Sequence, residues 1–228
     1  MSRWSAIIIA LLMLSGCRTP PVSIAEGPRE YVATDYDDVR KLWTREETLY
    51  LFDELERALT VSATFESWDF RWAYVIRYAQ DYRLTIPQRQ RLLRERLEET
   101  RSTHEFFIAL YGAERRYNDL TRSDSAWIVR LIDDLGNETA PMQIERIARP
   151  NILERRYYPY NTVWRQAFRL RFPAKGKGGQ ATIPTEAKLI GLRFAGAWGN
   201  FDLTWEIGSS PEGDAAPVAV SRRASSSP

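Results

Sequence analysis

The apolar positions of this chain change period several times, and each change predicts an element. Residues 6–14 form an uninterrupted apolar run behind Arg3. That run is far shorter than the ~20 residues a helix needs to cross a bilayer, so it has the form of a signal-peptide core. From Arg18 to about Asp38, Pro, Gly, small and acidic residues show no sustained period, which reads as a spacer. Thr44 with Glu47 has the form of a capping box, and Leu49, Phe52, Leu55 and Leu59 follow at mostly helical spacing, predicting a helix. Residues 59–65 then alternate strictly: Leu59, Val61, Ala63 and Phe65 on one face, Thr60, Ser62 and Thr64 on the other. That is a strand.

Helical spacing returns at residues 68–82, where Trp72, Ala73, Ile76, Ala79 and Tyr82 make an apolar stripe. Thr85 with Gln88, and Pro87 in the first turn, start a second helix that runs to about Arg101. Beyond His104 the pattern is β: residues 106–111, 126–132, 142–147, 162–172, 188–194 and 201–207, punctuated by turn residues at 133–137 and by Gly196 and Gly199. The chain is therefore expected to be mainly β with helices (α+β). The economical arrangement is an immunoglobulin-like antiparallel β-sandwich of about seven strands, with an N-terminal helix and an inserted helical pair at about 68–101. It lacks the paired Cys of true immunoglobulin domains. The expected division is a signal segment at 1–16, an anchor and linker at 17–39, the sandwich at 40–207, and a Ser/Pro/Gly-rich disordered tail at 208–228.

Composition narrows the chemistry. A net charge of +2, from 32 basic and 30 acidic side chains, gives no global basic field, so nucleic acid is not an expected partner. One Cys and one His exclude a multi-Cys/His zinc site and an internal disulfide framework, and no cofactor is implied.

The only cysteine closes the segment Leu14-Ser15-Gly16-Cys17. This resembles the bacterial lipobox at all four positions. The resemblance implies a diacylglycerol thioether on Cys17, cleavage before it, and acylation (palmitate among the chains) of the new amino group. Several acyl chains, at ~0.8 kcal/mol per buried CH₂, make a stable anchor. By the same likeness, Arg18 in place of Asp favours the outer membrane. The expected partner is thus the membrane, reached through Cys17, with the domain in the cell envelope.

Candidate chemistry is sparse. His104 is the only imidazole and no nucleophile-elbow motif surrounds any Ser, so a catalytic triad is not expected. Asp133, Asp134, Asn137 and Glu138 cluster oxygen atoms around Gly136, but the spacing departs from a calcium loop and suits a hairpin turn. The helix after Pro87 carries five arginines mixed with acids, and Lys175 and Lys177 stand between glycines; both read as solvated basic surfaces. The most suggestive group is aromatic. Tyr157, Tyr158, Tyr160 and Trp164 crowd one Pro-containing segment, and Trp198 sits in a Gly-rich turn. Such rings could stack on a glycan or a peptide, or pack in the core. The sequence therefore suggests a non-catalytic module that binds an envelope protein, peptide or glycan. An envelope hydrolase using a carboxylate pair, and an assembly factor for an outer-membrane complex acting by edge-strand pairing, are the alternatives.

Overall fold

A computed structural model describes residues 19–51, 56–112 and 118–208. The expected signal segment, Cys17 and nearly all of the expected tail lie outside the described residues. The elements are a 3₁₀ turn (Ala33–Asp35), α1 (Tyr36–Trp43), β1 (Thr44–Leu51), β2 (Glu56–Phe65), α2 (Trp68–Asp81) and α3 (Ile86–Ser102). They continue with β3 (Thr103–Gly112), β4 (Trp127–Asp133), β5 (Glu138–Thr139), β6 (Gln143–Ile147), α4 (Ile152–Tyr157), β7 (Gln166–Pro173), β8 (Leu189–Gly196) and β9 (Gly199–Glu206). No described helix is long and apolar enough to cross a membrane.

The strands form two antiparallel sheets, ordered β1-β2-β3-β7-β6 and β5-β4-β8-β9. Alternation decides which side chains meet between them. Leu59, Val61, Ala63 and Phe65 of β2 align with Phe106, Ile108 and Leu110 of β3 and with Phe168, Leu170 and Phe172 of β7. All are buried, and they face Ile190, Leu192, Phe194, Leu203 and Trp205 of the second sheet. Trp205 packs among them, its ring 5.6 Å from Phe106 and its Nε1 donating to the Trp43 carbonyl at 3.0 Å. The opposite face of the first sheet is also covered. There Thr60, Ser62, Thr64 and Phe107 are buried, with Tyr158 stacked on Phe107 at 3.9 Å between centroids. The molecule is thus three layers deep: helices, sheet, sheet.

The two antiparallel sheets and the helical pair between β2 and β3 agree with the sequence, but several details differ. The described residues hold nine strands, not seven. β1, β2 and β3 are successive neighbours in one sheet, whereas an immunoglobulin-like order sends the third strand to the other sheet. The helix expected from Thr44 is instead strand β1. Its threonines hydrogen-bond across to β2, Thr44 to Thr64 at 2.7 Å and Thr48 to Thr60 at 3.0 Å, and this pairing overrides the local helical spacing. Residues 162–165 are turn, so β7 starts at Gln166, and the short α4 was not foreseen.

The expected linker is also corrected, because most of it is ordered. Val22 is buried and forms an isolated parallel bridge with Ile207, just past the end of β9. Its N–H donates to the Glu206 carbonyl at 2.8 Å, and its own carbonyl accepts from the Gly208 N–H at 2.9 Å. Asp69 gathers three donors from the same stretch: Arg29 Nε at 2.8 Å, the Tyr31 hydroxyl at 2.6 Å and Trp43 Nε1 at 3.0 Å. Helix α1 buries Tyr36, Val39 and Trp43 from one stripe. Polar stitches and three large side chains, not a sustained apolar period, hold this segment down.

Candidate functional site

The aromatic cluster belongs mainly to the core. Tyr157 and Tyr158 are buried, and Tyr160 is half-buried. Each hydroxyl has a local partner: Tyr157 donates to Asp81 at 2.9 Å, Tyr158 to Glu66 at 2.7 Å, and Tyr160 donates to the Phe107 carbonyl at 3.2 Å and lies 2.6 Å from the Thr64 hydroxyl. Burial raises all three phenols far above their ordinary value, so they stay neutral. These rings seal the helical layer onto the first sheet, and a buried face cannot stack on a sugar. That corrects their expected role as a binding platform. Trp164 is different: it is 73% exposed in the turn before β7. Trp198, 44% exposed in the β8–β9 turn, leans on Trp127 at 5.9 Å, in the other sheet.

Beneath the helices lies a charge network. Arg71 is only 3% exposed at its side chain. It donates to the Glu66 and Arg96 carbonyls, to Glu99 at 2.5 Å and to Glu105 at 3.3 Å. Glu105 also forms an ion pair with Arg169 at 2.6 Å and accepts from Arg171 Nε at 3.1 Å. Burial pushes the Glu105 carboxyl up, the Glu66 carboxylate adds to the rise, and the three guanidinium groups oppose it. A hydrolase would need such an acid pair at the base of a cleft. Glu66 and Glu105 instead face arginines under α2 and α3, and neither line the two cavities below.

His104 packs edge-on to Phe65 at 6.1 Å, and burial lowers its imidazole to about 4. The Asp133 carboxylate accepts from the N–H groups of Leu135 and Asn137, Asp134 accepts from Lys188 and Leu189, and Glu138 pairs with Arg193 at 2.6 Å. These oxygen atoms therefore serve the hairpin turn. Among the described residues no group of three or more His, Cys, Asp or Glu could hold a metal ion. On α3, Arg96 and Arg101 pair with Glu99, Glu98 and Glu26, as a solvated helix face does.

Two concave sites stand out among the described residues. The larger is an open groove of about 520 Å³ between Val32, the end of α2 and the start of α3, with Ile86, Arg83 and Arg89 on its walls. The smaller, of about 80 Å³, lies where β6 ends and β7 begins. Arg146, Arg155 and Arg165 surround it, Val163 and Pro150 form apolar walls, and Asn161 stands inside. The Asn161 side chain is 95% buried, yet neither its Nδ2 nor its Oδ1 has a hydrogen-bond partner. Nearly all buried polar groups are paired with protein or with ordered water, so this amide stands apart from its surroundings. The sequence reading missed Asn161 and the three arginines. The available signal was the basic residues flanking the Tyr-Pro-Tyr-Asn stretch, but Arg146 joins them only through strand pairing.

The end of the sandwich that holds this pocket is opposite the end that holds Val22. Trp205 at the end of β9 meets Phe106 and, through it, Phe172 at the end of β7. The pocket lies at Gln166, where β7 starts, about 20 Å away along the strand. Comparisons with family models, curated proteins and solved structures find no match for this chain.

Proposed function

We propose that the chain is a lipid-anchored, non-catalytic binding module of the bacterial cell envelope. Acyl chains on Cys17 would hold it to the outer membrane, and its far end would receive an envelope peptide, protein or glycan. The observation that carries this reading is the opposition of the two ends. Val22 is stitched to β9 only five residues after Cys17, a span of at most about 18 Å. A tether that short keeps one end of the sandwich at the bilayer surface and turns the pocket, Val163 and the exposed Trp164 away from it. Confinement near a surface raises the effective concentration of the module for membrane-bound partners.

The test has two arms. The Cys17→Ala variant should leave the membrane fraction for the soluble one. A photo-crosslinking residue at Trp164 should capture ligand in intact cells, whereas the same residue at Lys188, near the stitched end, should capture none. Unchanged fractionation of Cys17→Ala, or equal capture at both positions, would overturn the reading.

A further inference from the structure

We propose that the pocket between β6 and β7 takes the C-terminal residue of a peptide, with its free carboxylate on the guanidinium groups and its amide N–H on the Asn161 carbonyl oxygen. The inference rests on the reading of this end as the binding end and names the chemistry of the ligand.

Charge comes first. None of the residues lining the pocket is acidic. Arg146 is already paired with Asp119 at 2.8 Å, and Arg165 with Glu46 at 3.0 Å. Arg155 has no carboxylate partner among the described residues, so one positive charge is left uncompensated. A monoanion matches that balance. A guanidinium and a carboxylate also match in shape, since two parallel N–H donors meet two oxygen atoms.

Hydrogen bonding then selects among monoanions. Asn161 carries both a free donor and a free acceptor, while its backbone N–H is already spent on the Tyr158 carbonyl at 2.9 Å. A simple inorganic anion such as sulfate could accept from Nδ2 but would set its own negative oxygen against Oδ1, and phosphate, which can donate one P–O–H there, offers nothing apolar to Ile147, Pro150 and Val163. A carboxylate one carbon from an amide N–H answers both groups, which is the arrangement at the C-terminus of a peptide. Size limits the rest: a single water needs ~10–15 Å³ of such space, so about 80 Å³ admits one terminal residue with a small side chain. Ile147, Pro150 and Val163 give that side chain an apolar wall. The preceding residues have somewhere to run, because β6 pairs only with β7 among the described residues and is an edge of its sheet.

The test is calorimetric titration of the purified full chain in detergent with three probes: acetyl-glycyl-alanine, its C-terminal amide, and inorganic phosphate. The free acid should bind saturably, the amide at least about tenfold more weakly, and phosphate not at all. Arg155→Gln should weaken the free acid by about tenfold with little change in thermal unfolding, because that side chain is exposed. Asn161→Ala should weaken it as well. Equal affinity for acid and amide, phosphate binding as tight as the peptide, or no binding of the acid would each overturn the proposal. Absence of peptide binding while Trp164 still captures ligand would sink this inference alone. Failure of both would remove the proposed binding end with it.

Discussion

Replacing Arg71 by Met tests whether the buried charge network holds the helical layer to the first sheet. The methionine fills much of the same space but removes every donor. Two backbone carbonyls, of Glu66 and Arg96, lose their partner, at about 1 kcal/mol each. Glu99 is 47% exposed at its side chain and is recovered by water, so it adds little. Glu105 is 8% exposed at its side chain, keeps Arg169 and Arg171, and loses the third guanidinium. Breaking a buried pair outright costs about 3–5 kcal/mol, so the partial loss here brings the expected total to about 3 kcal/mol. For a domain of this size that lowers Tm by about 6–12 °C. The pH dependence has a definite sign. The Glu105 carboxyl is raised in the fold, so its contribution favours the native state below the unfolded value near 4.5 and is lost as pH rises through the folded value. Removing Arg71 raises that carboxyl further. The gap between parent and variant is therefore wider at about pH 7.5 than at about pH 5. Urea titrations followed by circular dichroism at both pH values measure it. A loss below about 1 kcal/mol at the higher pH, or an equal loss at both, would refute the reasoning.

Three further perturbations probe other parts of the fold. Burial lowers His104 to about 4, so its contribution is present above about 6.5 and fades as pH falls to about 4, by at most about 3 kcal/mol; His104→Leu should flatten that part of the stability–pH curve in chemical denaturation. A Cβ at Gly196 would collide with the Ala126 carbonyl oxygen and the Trp127 ring, so Gly196→Ala should cost about 2 kcal/mol by the same method, and a silent change would mean the β4–β8 approach is looser than described. Trp164→Ser should leave stability within about 0.5 kcal/mol, because the ring is mostly in solvent, and a fall of many degrees in Tm would show that it packs.

The strands were legible wherever one face met the second sheet, because alternation then survives in the sequence: Leu59 to Phe65 and Phe168 to Phe172 are clear cases. The helical pair was legible as well, α2 from its helical spacing and α3 from Thr85 with Gln88, which form its capping box; the Ser67 cap of α2 was not read. β1 was not legible, since Thr44 and Glu47 imitate a helix start and only the threonines of β2, 12 and 20 residues later in the pairing, settle the matter. The stripe of Tyr36, Val39 and Trp43 was present but diluted by Asp37 and Asp38, which made the segment look like spacer. The pocket between β6 and β7 was the least legible. Its arginines come from β6, α4 and the turn before β7, and what singles it out is a missing hydrogen bond at Asn161, which no pattern of residue types can display.

The bridge between Val22 and Ile207 joins positions at nearly opposite extremes of the described chain. A nascent polypeptide delivers the first of these long before the second, so the early segment must wait, without its hydrogen-bonding edge, until β9 has been made and folded against β8. Late closure of this kind makes the final strand a gatekeeper for maturation: a product truncated ahead of Gly199 would be left with Val22 undocked and Trp43 without the indole that caps its carbonyl.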